Sequence, residues 1–219
     1  METSAPLAEL TIAEFEDRLA SAEPVPGGGS ASAIAGSMAG GLLAMVSRLS
    51  ADRPKYASYA ATHARALDVA ETARRRLLQL ADEDARAYAT FGAARKMPRE
   101  TADEQQARDE ASRVAARAAS EVPLAAAREC ARIMYAVEAM AGRSNLNAAS
   151  DLEVAARLAA AAARGAAANV MINLPMVGDE SYSGVAMAEV MQLLQDIDRA
   201  GSFVAQLVAA GTLREPESE

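Results

Sequence analysis

The sequence contains no tryptophan, a single cysteine (Cys130) and a single histidine (His63), and only 4% of its residues are aromatic. One cysteine excludes a disulfide within the chain, and one cysteine with one histidine cannot supply the soft ligands of a typical zinc site. The first residues, METSAPLAEL, lack the basic segment and apolar core of a secretion signal, so we expect a cytoplasmic protein.

Positive charge is in deficit. The chain has 22 lysines and arginines against 30 aspartates and glutamates, a net charge of -8, which argues against a general nucleic-acid-binding surface. The uncharged run from Pro24 to Ser47 is long enough to span a bilayer. Because its first part is a loop rich in proline and glycine, and because serines recur along it, we expect a buried core helix there and no membrane contact.

Alanine in helical patterns is what the sequence has in abundance. Hydrophobic residues make up 51% of the chain, and alanine is the best helix former. Capping patterns and prolines predict helices at about 11–20, 30–50, 55–95, from 101 towards 140, 150–174 and 181–213, with a kink or a split at Pro123. We predict an all-α bundle of long alanine-rich helices in a single domain at 10–213, between a flexible N-terminus at 1–9 and a disordered tail at 214–219.

A glycine run, in the segment EPVPGGGS, lies directly ahead of the second predicted helix. No lysine follows it and no strand precedes it, which excludes a Walker phosphate loop. Gly27, Gly28 and Gly29 would let the backbone adopt positive φ and approach a ligand beside Ser30, where the unpaired N–H groups of a helix N-terminus favour an anion or a polar ring edge. A plain tight turn explains the run equally well.

Asp84 is the leading candidate for a catalytic group. It follows Leu77 and Leu80 and precedes Tyr88 and Phe91 in steps of three and four, which places it on the expected buried face of the third helix. Burial raises the pKa of a carboxyl group towards the range that is useful for proton transfer. The structural alternative is an ion pair with an arginine of another helix. The two acidic residues before it are expected to be ordinary solvated charges: Asp82 and Glu83.

Two groups of polar residues later in the chain could bind a ligand or serve the structure. Asn145, Asn147 and Asp151 crowd one loop and the start of a helix, where helix capping is the alternative role. Asn169 and Asn173 are four positions apart and share a helix face, where their amides could bind a ligand or the following loop.

A small basic patch lies where the second predicted helix ends. It contains Arg48, Arg53 and Lys55. Such a patch is usually solvated, but it could also hold the anionic tail of a ligand.

The chain resembles the cyclodeaminase/cyclohydrolase family in segments that occur in the following order: PVPGGGSASAIAGSMAGGLLAMV, LADEDARAY, the proline of SEVPL, and SNLNAASDLEVAARLAAAAARGAAANVMINLP. The family comprises the C-terminal domain of formiminotransferase-cyclodeaminase and free-standing methenyltetrahydrofolate cyclohydrolases. The resemblance covers roughly residues 10–210. It implies an all-helical homodimer that acts on a tetrahydrofolate derivative without a metal or redox cofactor. It also implies catalytic roles for Asp84 and Asp151, with the nearby asparagines and the glycine turn lining the folate pocket.

The expected activity follows from this resemblance. Because no transferase domain is attached, we expect a methenyltetrahydrofolate cyclohydrolase, which hydrates 5,10-methenyltetrahydrofolate to 10-formyltetrahydrofolate, with Asp84 as general base and then acid. One alternative is a cyclodeaminase that releases ammonia from formiminotetrahydrofolate. The other is a non-catalytic folate-binding or scaffold protein, in which Asp84 would only pair with an arginine.

Overall fold

The computed structural model describes residues 5–216, and this part of the chain folds into helices without a strand. The α-helices are α1 (Ile12–Leu19), α2 (Gly28–Ser50), α3 (Ala60–Arg95), α4 (Ala102–Met140), α5 (Ala149–Asn173) and α6 (Glu180–Ala210). Short 3-10 turns lie at Leu7–Glu9, Pro54–Tyr59, Leu146–Ala148 and Leu174–Met176. The prediction of an all-α bundle is confirmed.

Helix α2 is the central helix of the bundle and packs against α3, α4 and α5. Helices α3 and α5 run antiparallel to it, whereas α4 runs parallel, since Gly36 and Gly40 of α2 face Cys130 and Ile133 of α4. Ser37 donates to the carbonyl of Arg74 on α3, and Ser50 accepts from the backbone of Asn145 just before α5. The core between these helices is built of alanines and a few large side chains that are fully buried: Leu43, Leu77, Leu80, Ile133, Met134, Met140, Leu152 and Ile197.

Local sequence signals set several helix ends. Thr11 and Thr101 form capping boxes with Glu14 and Glu104, as predicted. Helix α5 begins at Ala149, one residue before its predicted start, and Ala148 precedes it without a side-chain cap.

Pro123 does not split its helix. Helix α4 runs unbroken from Ala102 to Met140 with this proline buried inside it. Proline has no N–H, so the carbonyl of Ala119, four residues earlier, loses its helical partner. Asn173 Nδ2 on α5 donates to that carbonyl at 2.8 Å. A side chain from another helix therefore replaces the missing backbone hydrogen bond.

Both ends of the described part of the chain form hydrogen bonds with the helical bundle. Leu7 is buried and its N–H donates to Asp82 Oδ1 at 2.8 Å, which places this turn against α3. Arg214 N–H donates to the carbonyl of Gly142 at 2.7 Å. Residues 1–4 and 217–219 lie outside the described part.

One helix among the described residues, Gly28–Ser50, is long and apolar enough to cross a membrane. Its most apolar window has a mean hydropathy of 1.4, and 56% of that window is buried inside the bundle. The side of α2 that faces α3, α4 and α5 accounts for this burial, as the sequence predicted for a core helix.

Candidate active site

A cavity of about 360 Å³ opens where α2 begins, between α3, α4 and α5. One wall is the chain that enters α2, and the opposite walls come from the C-terminal halves of α3 and α5. Its lining residues include Pro24, Val25, Gly27, Gly28, Gly29, Asp84, Tyr88, Phe91, Arg95, Asn169, Ile172, Asn173 and Met176. The cavity is therefore largely apolar with a few polar groups, which is typical of a small-molecule site.

The carboxylate of Asp84 sits at the N-terminus of α2. Ser30, which is fully buried, places its Oγ 3.0 Å from Asp84 Oδ2 and 2.9 Å from the carbonyl oxygen of Ala81. Within residues 5–216 no lysine or arginine forms an ion pair with Asp84. The arginine pairing considered as the structural alternative is thus not made within the described chain.

Burial raises the pKa of Asp84 above the ordinary aspartate value. The hydrogen bond from the Ser30 hydroxyl acts in the opposite direction, because it favours the ionised form. The result is a carboxyl group that lies on a cavity wall, that is partly withdrawn from water, and whose two protonation states are closer in free energy at neutral pH than those of an exposed aspartate.

Gly29 is required by the position of Asp84. A Cβ on Gly29 would overlap all three atoms of the Asp84 carboxylate group. Gly27 and Gly28 have only ordinary contact distances around an added Cβ, 3.5 Å and 3.7 Å. The predicted positive φ at these glycines is wrong, since α2 begins at Gly28 and none of the three has positive φ. The close approach of the Asp84 carboxylate, rather than the backbone conformation, therefore explains why position 29 must be glycine.

Asn169 and Asn173 lie on the α5 side of the cavity, as their shared helix face predicted. The Nδ2 group of Asn169 donates to the carbonyl of Gly165 at 2.8 Å, and that of Asn173 donates to Ala119. Each Nδ2 group is thereby held by a backbone carbonyl. These residues combine a structural hydrogen bond with a place on the cavity wall.

Asn145, Asn147 and Asp151 do not join this cavity within one chain. They lie near the opposite end of α2, where Asn145 N–H donates to Ser50 at 2.8 Å. Asn145 Oδ1 accepts from the N–H of Asn147, so this asparagine caps the turn before α5. The expectation that these residues line the same pocket as the glycine turn is wrong for the single chain, because α2 is about 34 Å long and separates them.

Arg48 and Lys55 also lie at that far end. Arg48 pairs with Glu71 at 2.7 Å, and hydrogen bonds from Arg48 and Arg74 lower the pKa of Glu71 to about 2. Lys55 stacks over the ring of Tyr56 at 5.5 Å. The predicted contact of this basic patch with a ligand in the Asp84 cavity is therefore not made within one chain.

The far end of α2 has a cavity of its own, about 550 Å³ in volume. Two of its buried polar side chains are engaged in the fold: Ser50 donates to the carbonyl of Val46, and His63 Nε2 lies 2.8 Å from the carbonyl of Arg143. The smaller cavity is the better candidate active site, because there a carboxyl group with a raised pKa faces the open space.

Sequence reasoning missed the aromatic and basic residues beside Asp84. Tyr88 is 52% exposed and Phe91 and Arg95 line the same cavity, although Tyr88 and Phe91 were expected to be core residues. The steps of four, three and four from Asp84 to Arg95 indicate that these side chains share one helix face with Asp84. The same spacing is also expected for a buried apolar stripe. Only the packing of α5 shows where the core ends and the cavity begins.

The two predicted solvated neighbours of Asp84 are also engaged. Asp82 holds the N–H of Leu7, and Glu83 forms two hydrogen bonds with Arg76, at 2.6 and 3.0 Å. They secure the chain around α3, and Asp84 is the one of the three that lines the cavity.

Comparison with known proteins agrees with this arrangement. Residues 11–192 match the family described as Formiminotransferase-cyclodeaminase. The chain belongs to this family. It is 36% identical, over 85% of its own length and 89% of the other's, to the methenyltetrahydrofolate cyclohydrolase of Methylorubrum extorquens. It is 31% identical to the formimidoyltransferase-cyclodeaminase of Sus scrofa, over 90% of this chain and 36% of that longer protein.

A solved structure has the same architecture as this chain. The crystal structure of formiminotetrahydrofolate cyclodeaminase from Thermotoga maritima superposes with a TM-score of 0.84 at 27% identity, and the match covers 93% of this chain and 98% of that one. The family predicted from the sequence motifs is confirmed.

Proposed function

We propose that this protein is a methenyltetrahydrofolate cyclohydrolase, which hydrates 5,10-methenyltetrahydrofolate to 10-formyltetrahydrofolate. The observation that carries the proposal is the Asp84 carboxyl group, held by Ser30 on the wall of an apolar cavity with its pKa raised by burial. The relative from Methylorubrum extorquens, which this chain matches over most of both lengths, supports the choice of reaction.

The first step is addition of water to the methenyl carbon. This carbon bridges N5 and N10 and carries delocalised positive charge, so it is electrophilic without a metal or redox cofactor, and we propose that none is needed. Ionised Asp84 takes one proton from the water as the C–O bond forms, and its negative charge stabilises the cationic ring electrostatically.

The second step is collapse of the tetrahedral carbon. The bond from this carbon to N5 breaks, and Asp84 gives its proton to N5 as it leaves. The hydroxyl proton passes to solvent, which leaves a formyl group on N10. The sum is methenyltetrahydrofolate cation plus water giving 10-formyltetrahydrofolate plus one proton.

Ser30 fits both protonation states of Asp84. Its single hydroxyl proton can go to Asp84 when the carboxylate is ionised, or to the carbonyl of Ala81 when the carboxyl group is protonated and donates to Ser30 Oγ. A buried hydroxyl between two acceptors thus allows Asp84 to gain and lose a proton with little movement.

The cavity walls suit a flat heterocycle with hydrogen-bond donors on one edge. Val25 and Ile172 provide apolar contact, and the Oδ1 atoms of Asn169 and Asn173 can accept from the amino and ring N–H groups of a pterin. We therefore place the pterin between the glycine turn and α5, with the reacting carbon near Asp84.

Cyclodeaminase activity is the second candidate, and the similarity to the Thermotoga maritima structure favours it. Both reactions pass through a tetrahedral carbon between N5 and N10, and they differ in whether a hydroxyl is retained or ammonia leaves. Purified protein assayed beside an uncatalysed blank for loss of methenyltetrahydrofolate absorbance, and separately for ammonia release from formiminotetrahydrofolate, decides between them. Turnover of neither substrate would refute the enzymatic proposal.

We further propose that the protein works in the cytoplasm as a homodimer, without a nucleic-acid or membrane partner. The exposed and half-exposed positions of the adjacent helices α2 and α5 include many apolar residues, beside the exposed arginines Arg48, Arg157 and Arg164: Ile34, Met38, Leu42, Met45, Leu49, Val154, Leu158, Ala161, Ala168 and Ile172. Two adjacent helices of this length present roughly 600–700 Å², close to the ~800 Å² that each partner of a stable dimer buries. A second copy of this chain is the occupant we propose.

A further inference from the structure

The cavity at the far end of α2 has no part in the proposed reaction. Its volume of about 550 Å³ is within the range of small-molecule sites. It lies between the last turn of α2, the 3-10 turn Pro54–Tyr59 and the first turns of α3. Among the described residues it shares no lining residue with the Asp84 cavity, so a ligand bound there is separate from the folate.

Most of the wall of this cavity is apolar and built from small side chains. Ala57, Ala60 and Ala64 line it, together with the half-buried Leu67 and the buried Tyr56. The alanine side chains end at Cβ and leave room for a broad apolar group against α3. A flat aromatic ring gains both apolar contact and favourable ring contact with a tyrosine. The wall therefore suits an aromatic ligand.

His63 supplies a hydrogen-bond acceptor within this wall. It is only 4% exposed, and its Nε2 lies 2.8 Å from the carbonyl of Arg143. A carbonyl only accepts, so Nε2 carries the proton of this bond, and Nδ1 of the neutral ring is left as an acceptor. In residues 5–216 Nδ1 has no hydrogen-bond partner, and it is not sealed from solvent. Because His63 lines the cavity, a nearly buried residue presents this nitrogen to a ligand.

Two adjacent residues of opposite charge, Asp52 and Arg53, lie at the exposed edge of the cavity. In the part of the chain that the structure describes, neither side chain forms an ion pair. Arg48, one turn earlier, pairs with Glu71 instead. A ligand that carries both an ammonium and a carboxylate group would find a charge of opposite sign for each at this edge.

We propose that this cavity binds a free aromatic amino acid whose ring carries an N–H or O–H donor, such as tryptophan or tyrosine. The carboxylate of the amino acid binds Arg53, and its ammonium group binds Asp52. The ring lies along the alanine wall, and its donor bonds to His63 Nδ1. These three side chains then each have a partner on the ligand. The site does not depend on the reaction proposed at Asp84.

The absence of tryptophan from the chain makes the binding simple to measure. The fluorescence anisotropy of added L-tryptophan reports its binding without a tryptophan background from the protein. A ligand of this size is expected to bind with a Kd of about 0.1–1 mM. Phenylalanine, measured by competition, is expected to bind about threefold to tenfold more weakly, because it leaves His63 Nδ1 unpaired.

Two indole compounds separate the two charged contacts. Tryptamine lacks the carboxylate, and indole-3-propionate lacks the ammonium group. Asp52→Asn is expected to weaken binding of tryptophan and tryptamine about threefold to tenfold and to leave indole-3-propionate unchanged. Arg53→Gln is expected to weaken binding of tryptophan and indole-3-propionate and to leave tryptamine unchanged. Asp68→Asn and Arg132→Gln, which change exposed residues outside the cavity, are the matched controls.

His63→Gln tests the ring contact, since glutamine keeps an Nε2 donor for the Arg143 carbonyl. It is expected to abolish the preference for tryptophan over phenylalanine, and the same comparison in the wild type tests the contact if this variant does not fold. Absence of tryptophan binding to the wild type at millimolar concentration overturns the proposal. So does an affinity that indole alone matches, or one that neither Asp52→Asn nor Arg53→Gln changes.

Discussion

The carboxylate of Asp84 on α3 lies against the Cα of Gly29 on α2, so closely that any side chain at Gly29 would occupy its place. This contact joins the glycine turn to the acidic residue that the sequence singled out. Both were identified separately, by a loop composition and by a helical stripe. The fold makes them one site, because the N-terminus of α2 meets α3 at this point.

Gly29→Ala is expected to displace the Asp84 carboxyl group and to lower kcat by about 100-fold, since misplacement of a reacting group by about 1 Å can cost that much. The measurement is the rate of methenyltetrahydrofolate hydrolysis at saturation. Gly41→Ala is the matched control on the same helix, where an added Cβ has no atom within 4 Å. An undiminished rate in Gly29→Ala, with correct folding shown by circular dichroism, contradicts the placement of Asp84.

Ser30→Ala is expected to move the acid limb of kcat/KM to higher pH. The Ser30 hydroxyl lowers the pKa of Asp84, so its removal leaves burial less opposed and raises that pKa further. A general base works when ionised, and activity is therefore lost at a higher pH as the solution is acidified. Ser120→Ala, which removes another fully buried hydroxyl, should leave the limb in place. A limb that moves to lower pH would mean that Ser30 instead stabilises the protonated acid.

Asn173 and Pro123 are expected to be energetically coupled through the carbonyl of Ala119. Asn173→Ala leaves that carbonyl without its hydrogen bond and should lower the free energy of unfolding by about 1–3 kcal/mol. In the background of Pro123→Ala the same change should cost much less, because the new N–H at 123 can bond to Ala119. Urea unfolding of the four proteins in this cycle measures the coupling. Strictly additive effects would show that Asn173 has no such role.

A charge in the apolar face of α2 and α5 is expected to separate the proposed homodimer. Met38 is 56% exposed in the single chain, and Met38→Glu places a carboxylate where the second copy would pack. Sedimentation equilibrium should give a dimer for the wild type and a monomer for this variant. Val114→Glu is the control, since Val114 on α4 is 61% exposed and outside that face. A monomeric wild type, or association with lipid vesicles instead, would refute the second copy as occupant.

The helices themselves were predictable because their signals are local. Capping boxes at Thr11 and Thr101 and the end of α3 at Arg95 all appear where the sequence places them. The behaviour of Pro123 was not predictable, because a side chain of α5, fifty residues later, supplies the partner for the carbonyl that the proline leaves. Helix interruption by proline is a local rule, and the compensation is a tertiary contact.

The candidate site also has one part that local sequence signals predict and another part that depends on tertiary packing. Helical spacing identified Asp84 correctly as a residue on a special face, and it placed Asn169 with Asn173. Spacing along the chain does not show that the length of α2 separates two sites. Asn145 and Arg48 were therefore predicted to share a pocket with residues that lie at the other end of the bundle. Tyr88 was predicted to be a core residue for a related reason. A helical stripe shows which face of α3 is apolar, but it does not show whether another helix or an open cavity lies against that face.

The catalytic role of Asp84 is tested most directly by the hydrolysis rate of Asp84→Asn, measured from methenyltetrahydrofolate absorbance and corrected for the uncatalysed reaction. Asp82→Asn, two positions earlier, is the matched control, because Asp82 holds the N–H of Leu7 and does not line the cavity. The proposed mechanism predicts a fall in kcat of about 10²–10⁴-fold for Asp84→Asn and a rate near that of the wild type for Asp82→Asn. A wild-type rate in Asp84→Asn would contradict it.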